Sequence, residues 1–358
     1  MAKVLLAMSG GVDSTVAAVL LLRQGHEVAG VFMRHLWQQK HELEDAETTA
    51  DRLGIELLQI DLAEEFRAVV RYFTDEYLSG RTPNPCADCN RRIKFGRLFD
   101  EMKKRDFDFL ATGHYIRIQP HEAWQQEHQH PFFRENDPSD LPPAICCGRD
   151  HIKDQSYIMF GVAGERLSKL LFPVGEYDKN TIRDIAKNTG FDFSKIRESQ
   201  EICFVPDQQH VAFIRTYGRP KDTSGKIVTT EGQFIIAHDG FEQFTIGQRK
   251  GMKIGLGGRR YVVRIDAETR DVVVGTRENL LQSELVASGV NWLIAKPQKP
   301  FPCRVKIRYR SPAVEALVTP LPDDRFHVRF DSPREAITPG QVAACYLDDR
   351  IIGGGWIQ

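Results

Sequence analysis

A glycine-rich hexapeptide, Ser9-Gly10-Gly11-Val12-Asp13-Ser14, lies between two apolar segments near the start of the chain. The preceding run, Val4 to Met8, predicts a buried parallel strand, and the following run, Thr15 to Leu22, predicts a helix buried on most sides. Such a turn directs backbone N–H groups and the positive end of the helix dipole at an anion. No Lys-Ser or Lys-Thr pair follows the glycines, so this is not a Walker loop. It is predicted to bind phosphate, the alternative being a simple turn of small residues.

Strand and helix patterns then alternate along the chain. Further strands are predicted at residues 27–33, 55–60 and 107–112, with helices at about 44–53 and 63–79. This alternation predicts an α/β domain with a doubly wound parallel sheet, in which ligands bind at the carboxyl ends of the strands. We place this domain at residues 1–205.

Residues 120–143 interrupt the alternation. The segment contains five prolines and is predicted to be an exposed inserted loop. Its three histidines, His121, His128 and His130, have no spacing that defines a metal site, so a solvated loop is the preferred interpretation.

Short strands with turn signals replace this pattern in the second half of the chain. Segments at 226–228, 233–236, 260–265 and 271–274 predict a small β-rich central domain at residues 206–280. The same pattern continues at 304–310 and 326–330, and it predicts a C-terminal β-barrel of Greek-key type at residues 281–358.

The charges of the chain nearly cancel, with 48 basic and 49 acidic side chains, so a polyanion would have to bind local basic patches. One patch is the run 304–310, where arginine or lysine occupies every second position. On a strand this places four cations on one face and Val305, Ile307 and Tyr309 on the other. A second basic cluster spans 247–253 and 257–260. Two clusters on separate domains indicate a bound polyanion, the alternative being solvated charged faces.

Seven cysteines form an odd set without disulfide-framework spacing, which is typical of a reducing compartment. No stretch approaches the roughly 18 apolar residues of a membrane helix. The first strand also begins too early to leave room for a signal or transit peptide. We therefore expect a cytoplasmic enzyme that has no contact with a membrane.

Two of the cysteines lie in the segment Thr82-Pro83-Asn84-Pro85-Cys86-Ala87-Asp88-Cys89-Asn90. Its prolines predict a stiff turn, and residues 91–95 predict the start of a helix. The two arginines and the lysine of that start would lower the pKa of the Cys89 thiol and favour the thiolate. A zinc half-site is the alternative, but no second ligand pair follows at zinc spacing. From spacing alone the other cysteines are interpreted as core residues: Cys146, Cys147, Cys203, Cys303 and Cys345.

These motifs resemble those of known families. The SGGVDS loop resembles the PP-loop of the N-type ATP pyrophosphatases, which cut ATP between its α- and β-phosphates and adenylate a substrate. Over nearly its whole length the chain resembles the tRNA-specific 2-thiouridylases, which place sulfur on C2 of the wobble uridine. The shared motifs are SGGVDS (9–14), TPNPCADCN (82–90), ATGHY (111–115), KDQSY (153–157), LFPVGE (171–176), ICF (202–204), GQRKG (247–251), RYR (308–310) and TPGQ (338–341).

The resemblance implies an adenine nucleotide alpha-hydrolase-like fold and a set of site residues. ATP would be bound by Ala7, Met8, Ser9, Gly10, Gly11, Val12, Asp13, Ser14, Met33 and Gly113. The catalytic residues would be Asp13, which helps to position Mg²⁺ and pyrophosphate, Cys89, the nucleophile, and Cys203, which receives persulfide sulfur. The tRNA would be contacted by Asn84, Pro85, Cys86, His114, Lys153, Asp154, Gln155, Arg308, Tyr309 and Gln341, the first three beside the target base.

The implied reaction adenylates the C2 oxygen of uracil, since that oxygen is otherwise a poor leaving group, and Mg²⁺ offsets charge on the pyrophosphate. Sulfur then replaces AMP. It would come from a persulfide on Cys203, loaded by a persulfide-carrying donor protein, with Cys89 as the second thiol. The implied partners are therefore tRNA and a sulfur donor.

Alternatives to this route remain. Many family members carry Asp at the position of Cys86, and with a cysteine there Cys86, Cys89 and Cys203 could instead hold a 4Fe–4S cluster. We favour the persulfide route. A different PP-loop ligase would use an amine and would need neither Cys89 nor Cys203. An RNA-binding protein with a decayed loop would not need Asp13.

Overall fold

The structure of the 358-residue chain is a computed structural model. It describes residues 1–37, 40–135, 141–191, 202–205, 209–252, 254–255 and 258–358. Lys253 and Gly257 of the predicted second basic cluster lie outside the described residues. Among the described residues, no helix has both the length and the apolar character needed to cross a bilayer.

The N-terminal part alternates strands and helices, as its sequence pattern predicts. Its sheet consists of β1 (Lys3–Ala7), β2 (Glu27–Arg34), β3 (Leu57–Asp61), β4 (Phe109–Ala111) and a short β7 (Leu170–Leu171). The helices are α1 (Val12–Arg23), α2 (Lys40–Leu53), α3 (Ala63–Leu78), α4 (Pro85–Cys89), a π-helical segment (Asn90–Arg97), α5 (Leu98–Lys104) and α8 (Lys179–Asn188). The strand order is β3-β2-β1-β4-β7, and every pairing is parallel.

Helices cover both faces of this sheet, which confirms the predicted doubly wound architecture. Leu5 of β1 packs in a core that includes side chains of α3, whereas its neighbours Val4 and Leu6 pack with α1 and α8 on the opposite face. The strand order changes direction between β1 and β4, and ligands bind at such a switch point in open α/β sheets. The glycine-rich loop follows β1 at this edge, and Gly113 follows β4.

The C-terminal part is a closed barrel. Its strands are β12 (Leu281–Trp292), β13 (Phe301–Lys306), β14 (Val314–Leu321), β15 (Arg325–Glu335), β16 (Val342–Leu347) and β17 (Arg350–Ile357). They follow the order β12-β15-β14-β13-β16-β17, and the pairing of β12 with β17 closes the barrel. Because β16 returns to lie beside β13 after the β13-β14-β15 meander, the connection is the predicted Greek key.

The prediction of one continuous strand over residues 304–310 is wrong at its end. Strand β13 stops at Lys306, and the following residues form a turn. Val305 and Ile307 are buried as predicted, but Tyr309 is exposed. The Arg308 guanidinium donates hydrogen bonds to the Ala336 carbonyl and the Thr338 hydroxyl, so this side chain is held against the barrel instead of lying on a charged strand face.

The prediction of an exposed loop at residues 120–143 is also wrong. Its described part contains α6 (His121–His128) and α7 (Pro131–Glu135), between β5 (Ile116–Gln119) and β6 (Ala144–Cys147). Strand β6 extends the barrel sheet by pairing with β17, and β5 pairs with β6 at its edge. Trp124 and Phe133 are buried in the barrel core, and the ring of His121 accepts a 2.7 Å hydrogen bond from buried Arg350. The apolar faces of these helices therefore anchor the insertion.

The central part is small and β-rich, as predicted. Helix α9 (His210–Gly218) precedes β8 (Gly225–Thr229), β9 (Phe234–His238), β10 (Tyr261–Asp266) and β11 (Asp271–Gly275). These strands form a sheet of order β10-β11-β8-β9.

Elsewhere and in the central part, short 3-10 turns occur at Ser156–Met159, Gly164–Lys169, Phe241–Gln243 and Glu278–Leu280.

Candidate active site

A cleft of about 1120 Å³ opens at the carboxyl edge of the parallel sheet. It is lined by all ten residues that the resemblance implies for ATP: Ala7, Met8, Ser9, Gly10, Gly11, Val12, Asp13, Ser14, Met33 and Gly113. Sequence reasoning missed other lining residues, above all the acidic side chains of α2 and the basic side chains of α8. The fold thus brings three strand ends and two helices around one space of nucleotide size.

Two glycines allow the loop to close over this cleft. Gly10 has a φ of +75°, and a Cβ there would lie 2.6 Å from the Cβ of Asp45. A Cβ on Gly113 would lie 2.9 Å from the carbonyl carbon of Asp13. Both contacts are shorter than packed atoms tolerate, so only glycine lets the backbones of β1, β4 and α2 approach this closely.

Asp13 lies in the first turn of α1 and pairs with a lysine that is distant in sequence. The Lys179 Nζ lies 2.7 Å from Asp13 Oδ1, and the Tyr115 hydroxyl donates a 2.6 Å hydrogen bond to the same oxygen. Lys179 is buried, whereas Asp13 is about one-third exposed toward the cleft. The carboxylate is therefore oriented by two partners before any ligand binds.

Helix α8 presents a row of cations to the cleft. Lys179, Arg183 and Lys187 are spaced four residues apart, and all three line the cleft opposite the glycine-rich loop. Side chains at this spacing lie on one helix face. The row places positive charge at a cleft whose loop contains no Walker lysine. Its four-residue spacing is visible in the sequence, but only the fold turns it toward the loop.

Carboxylate side chains that would hold Mg²⁺ also line the cleft. Asp13, Glu42 and Asp45 line it, and Mg²⁺ is usually held by one or two carboxylates together with substrate phosphates and water. Of the three, Asp13 lies within the glycine-rich loop itself.

The helix of the cysteine segment begins at an earlier residue than predicted. Helix α4 begins at Pro85, with the Asn84 side chain accepting a 3.1 Å hydrogen bond from the Ala87 amide as its cap. Cys89 ends α4, and the chain continues directly into the π-helical segment. The predicted helix start at residues 91–95 is therefore wrong, because Pro85 and its Asn84 cap already form the helix N-terminus.

The expected low pKa of Cys89 is wrong as well. Burial raises the pKa of the Cys89 thiol to about 12, and the charge of Lys94 lowers it only in part. The neighbouring arginines do not supply that field, because Arg91 and Arg92 lie 2.7 and 2.8 Å from the buried Asp88 carboxylate. Asp88 thus neutralises two of the three cations that the sequence places beside the thiol.

Cys203 lies near these thiols but differs in access. Its side chain is exposed, whereas Cys89 is buried. Surrounding protein still raises the pKa of Cys203 to about 11, through desolvation first and the charge of Cys86 second. Exposure overturns its interpretation as a core residue, while the other predicted core cysteines are buried or partly buried: Cys146, Cys147, Cys303 and Cys345.

The thiols are not arranged as a metal site. All seven cysteines are free, and in the part of the chain that the structure describes no three His, Cys, Asp or Glu side chains lie close enough together to hold a metal. The described residues Cys86, Cys89 and Cys203 therefore do not fit a cluster in this arrangement.

Iodoacetamide is expected to label Cys203 faster than Cys89 near neutral pH. Burial restricts access to Cys89 and keeps its thiol protonated, and only the thiolate reacts. Because the pKa of Cys89 is raised to about 12, its labelling rate should increase about tenfold per pH unit across the accessible alkaline range. Peptide mapping by mass spectrometry at neutral and mildly alkaline pH measures both rates. Equal rates with a plateau near neutral pH would contradict the assignment.

The residues implied for tRNA contact divide into two groups. His114, Lys153, Gln155 and Tyr309 line the nucleotide cleft. Burial holds the pKa of His114 well below its usual value, and the positive charge of Lys94 lowers it further. The His114 ring is therefore neutral. Cys86 is exposed beside the helix cap.

The residues of the second group make contacts within the protein and do not line the cleft. Gln341 donates hydrogen bonds to the Thr82 and Pro83 carbonyls and so fixes the approach to α4. Asp154 is buried and accepts hydrogen bonds from the Gly148 and Ser156 amides. The remaining members of this group are Asn84, buried Pro85 and Arg308, whose contacts are given above.

A second pocket of about 820 Å³ adjoins the cleft, because Lys153 and Tyr309 line both. It lies against the barrel and is lined by further cations, Arg304, Lys306 and Arg310. Gly247 of the other basic cluster lies beside Arg308, since a Cβ there would be 3.5 Å from the guanidinium. The two predicted basic clusters therefore approach each other at Gly247 and Arg308.

A phosphate-binding loop at the switch point of a parallel sheet, without a Walker lysine, defines an ATP-binding domain of the PP-loop class. Residues 2–207 match the tRNA methyl transferase HUP domain family, 211–276 the tRNA methyl transferase PRC-barrel domain and 282–357 the Aminomethyltransferase beta-barrel domain. The chain is 42% identical to the tRNA-specific 2-thiouridylase MnmA of Syntrophotalea carbinolica, over 99% of this chain and 98% of that protein. It is 40% identical to that of Rhodopirellula baltica, over 100% and 96%. The chain belongs to the tRNA-specific 2-thiouridylase family.

Proposed function

We propose that this protein is a tRNA-uridine 2-sulfurtransferase that uses ATP to exchange oxygen for sulfur at C2 of the wobble uridine. The observation that carries the proposal is that the phosphate-binding loop and the cysteine segment lie beside the same cleft. The helical segment that follows Cys89 contributes Lys94 to the same cleft that the phosphate-binding loop lines. Family membership supports it, since relatives 40 to 42% identical over almost the full length bear the name of this activity.

In the first step the cleft activates uridine. The backbone amides of residues 9–14 and the cations of α8 hold the phosphates of ATP, and Lys179 with Tyr115 orients Asp13 toward them. The C2 oxygen attacks the α-phosphorus, and pyrophosphate leaves. Asp13 would hold Mg²⁺, which would offset the charge that develops on this leaving group.

In the second step the two thiols have different tasks. Exposed Cys203 receives sulfur from a persulfide-carrying donor protein, and buried Cys89 is protected from that exchange. In the direct route the outer persulfide sulfur attacks C2, and the Cys89 thiolate then attacks the Cys203 sulfur, which breaks the sulfur–sulfur bond and releases the thiolated uridine. In the other route Cys89 attacks Cys203 first, and the hydrosulfide that leaves attacks C2. AMP leaves with the former C2 oxygen, and the enzyme is left with a Cys89–Cys203 disulfide, which a thiol reductant must reopen.

Mass spectrometry of a tRNA transcript tests the proposal. With ATP, Mg²⁺ and a persulfide source, the anticodon fragment should gain the mass of one sulfur-for-oxygen exchange, with AMP and pyrophosphate formed. An amine-using ligase would form AMP without that mass change, and a non-catalytic RNA-binding protein would form no AMP. Either result would overturn the proposal.

The tRNA is proposed to lie across the surface that joins the second pocket, the turn at Tyr309 and the 247–250 loop. The cations of that surface come from the barrel, from Lys153 and from the 247–250 loop. The side chains of Tyr309 and Ile152 are exposed at its edge. Cations beside an exposed aromatic ring suit a phosphodiester backbone with unstacked bases. A cytoplasmic location is part of this proposal, since tRNA and reduced thiols are required.

Binding of tRNA is expected to weaken steeply with salt. If about six to eight phosphates are neutralised, log K should fall against log salt with a slope of about −5 to −7. Arg304→Ala combined with Arg310→Ala should flatten the slope by about one per lost contact. Filter binding across salt concentrations measures it, with Lys296→Ala as a control, since Lys296 is exposed beside Asp324.

Arg308 should behave differently in the same assay. Its guanidinium holds the backbone at Ala336, so Arg308→Ala is expected to lower thermal stability as well as binding.

The double variant provides the contradicting outcome. An unchanged salt slope in the Arg304 and Arg310 double variant would show that the second pocket does not face the RNA.

A further inference from the structure

Lys94 lies between the glycine-rich loop and the cysteine segment, which serve the first and the second step of the proposed reaction. It lines the nucleotide cleft together with the glycine-rich loop, and it follows Cys89 by five residues. Its side chain is partly buried, so its charge is not simply that of a solvated surface lysine.

The π-helical segment explains how Lys94 reaches this position. In the segment Asn90–Arg97 the backbone bonds run between residues five apart, as in the bond from the Leu98 N–H to the Ile93 carbonyl. Residues separated by five positions therefore lie nearly above one another, whereas an α-helix would rotate them to different faces. Lys94 follows Cys89 by one such five-residue step, and its charge acts on the Cys89 thiol. Segments of this kind occur often at functional sites.

The neighbouring charges leave the Lys94 cation available to a ligand on the cysteine side of the cleft. Arg91 and Arg92 are paired with Asp88, while no carboxylate in the described part of the chain lies within ion-pair distance of Lys94. The adjacent ring of His114 is neutral. The field of Lys94 reaches Cys86, Cys89 and Cys203, since it lowers the pKa of each thiol against the effect of burial.

We propose that Lys94 binds the phosphate of the adenylated uridine and stabilises AMP as sulfur displaces it. This inference rests on the proposed function. Sulfur approaches C2 from the cysteine side, and the phosphate lies on the side of the loop, so the C2–oxygen–phosphorus linkage spans the space that Lys94 borders. As the C2–S bond forms and the C2–O bond breaks, the electron pair of that bond passes to AMP. A fixed cation at this point lowers the barrier of the second step.

Single-turnover reactions with ATP labelled in the α-phosphate test this role. Lys94→Ala should release pyrophosphate within about threefold of the wild-type rate, but should form AMP and 2-thiouridine about 100-fold more slowly, as loss of one fixed charge-stabilising group does. Labelled, adenylated tRNA should accumulate. Lys94→Arg should recover part of the rate. Lys104→Ala, which removes an exposed lysine from α5 outside the cleft, is the matched control and should behave as wild type.

The partial reactions separate the possible outcomes. Normal AMP and 2-thiouridine formation by Lys94→Ala would overturn the inference, and so would an equal loss of pyrophosphate release, which would place Lys94 in ATP binding or folding. Accumulated adenylated tRNA supports it, because a misfolded variant would not form that species. Failure of the wild-type enzyme to form 2-thiouridine would instead overturn the proposed function itself.

Discussion

Replacing Cys89 or Cys203 by serine is expected to abolish 2-thiouridine formation, with a loss of at least about 1000-fold. A hydroxyl can neither carry a persulfide nor take part in disulfide exchange, so each substitution removes one sulfur atom that the proposed second step needs. Thiolated tRNA is measured by mass spectrometry of its anticodon fragment. After one turnover without reductant, the wild type should contain a Cys89–Cys203 disulfide, which requires their Cα atoms to approach within about 7 Å.

Cys86 distinguishes the two sulfur routes. Cys86→Asp, the residue common in the family, is expected to retain much of the activity without iron, because the persulfide route does not use this thiol. Cys303→Ala, which removes a thiol from the barrel core, is the control for loss of a cysteine elsewhere. An inactive Cys86→Asp, together with a wild type that works only with intact iron, would favour the cluster route. A fully active Cys203→Ser would contradict both.

Replacing Asp13 by asparagine is expected to lower AMP formation by at least about 1000-fold, since adenylation depends on the charge of this carboxylate at the leaving pyrophosphate. The variant should also be less stable, because it leaves buried Lys179 without its anionic partner, which is costly in a protein interior. AMP formation from labelled ATP and thermal unfolding measure the two effects separately.

A double variant separates catalysis from folding at this pair. Asp13→Asn combined with Lys179→Met removes both charges, so it should recover much of the lost thermal stability while AMP formation stays absent. Asp178→Asn is the matched control, because this exposed residue caps α8 through its side-chain oxygen and asparagine can form the same cap. Recovery of AMP formation in the double variant would show that Asp13 acts only through stability.

The sequence determined the local units of this protein. An apolar run, two glycines and a run of helix-forming residues specify the strand, loop and helix of the phosphate site, because each depends on near neighbours along the chain. The alternation of strands and helices predicted the parallel sheet and a ligand site at the carboxyl ends of its strands, whereas Met33 and Gly113 came from the family resemblance. The spacing of short strands likewise predicted the barrel. Cys89 and Cys203 came from the family resemblance.

Tertiary structure decided which charges act at the site. Asp13 and Lys179 are 166 residues apart, and only the packing of α8 against α1 brings them together. The sequence places three cations beside Cys89, but buried Asp88 pairs with two of them, and burial then raises the pKa of the thiol instead of lowering it. The insertion folds onto the barrel because Trp124 and Phe133 find a core there. Pairing, burial and desolvation depend on neighbours in space, and the order of residues along the chain does not contain them.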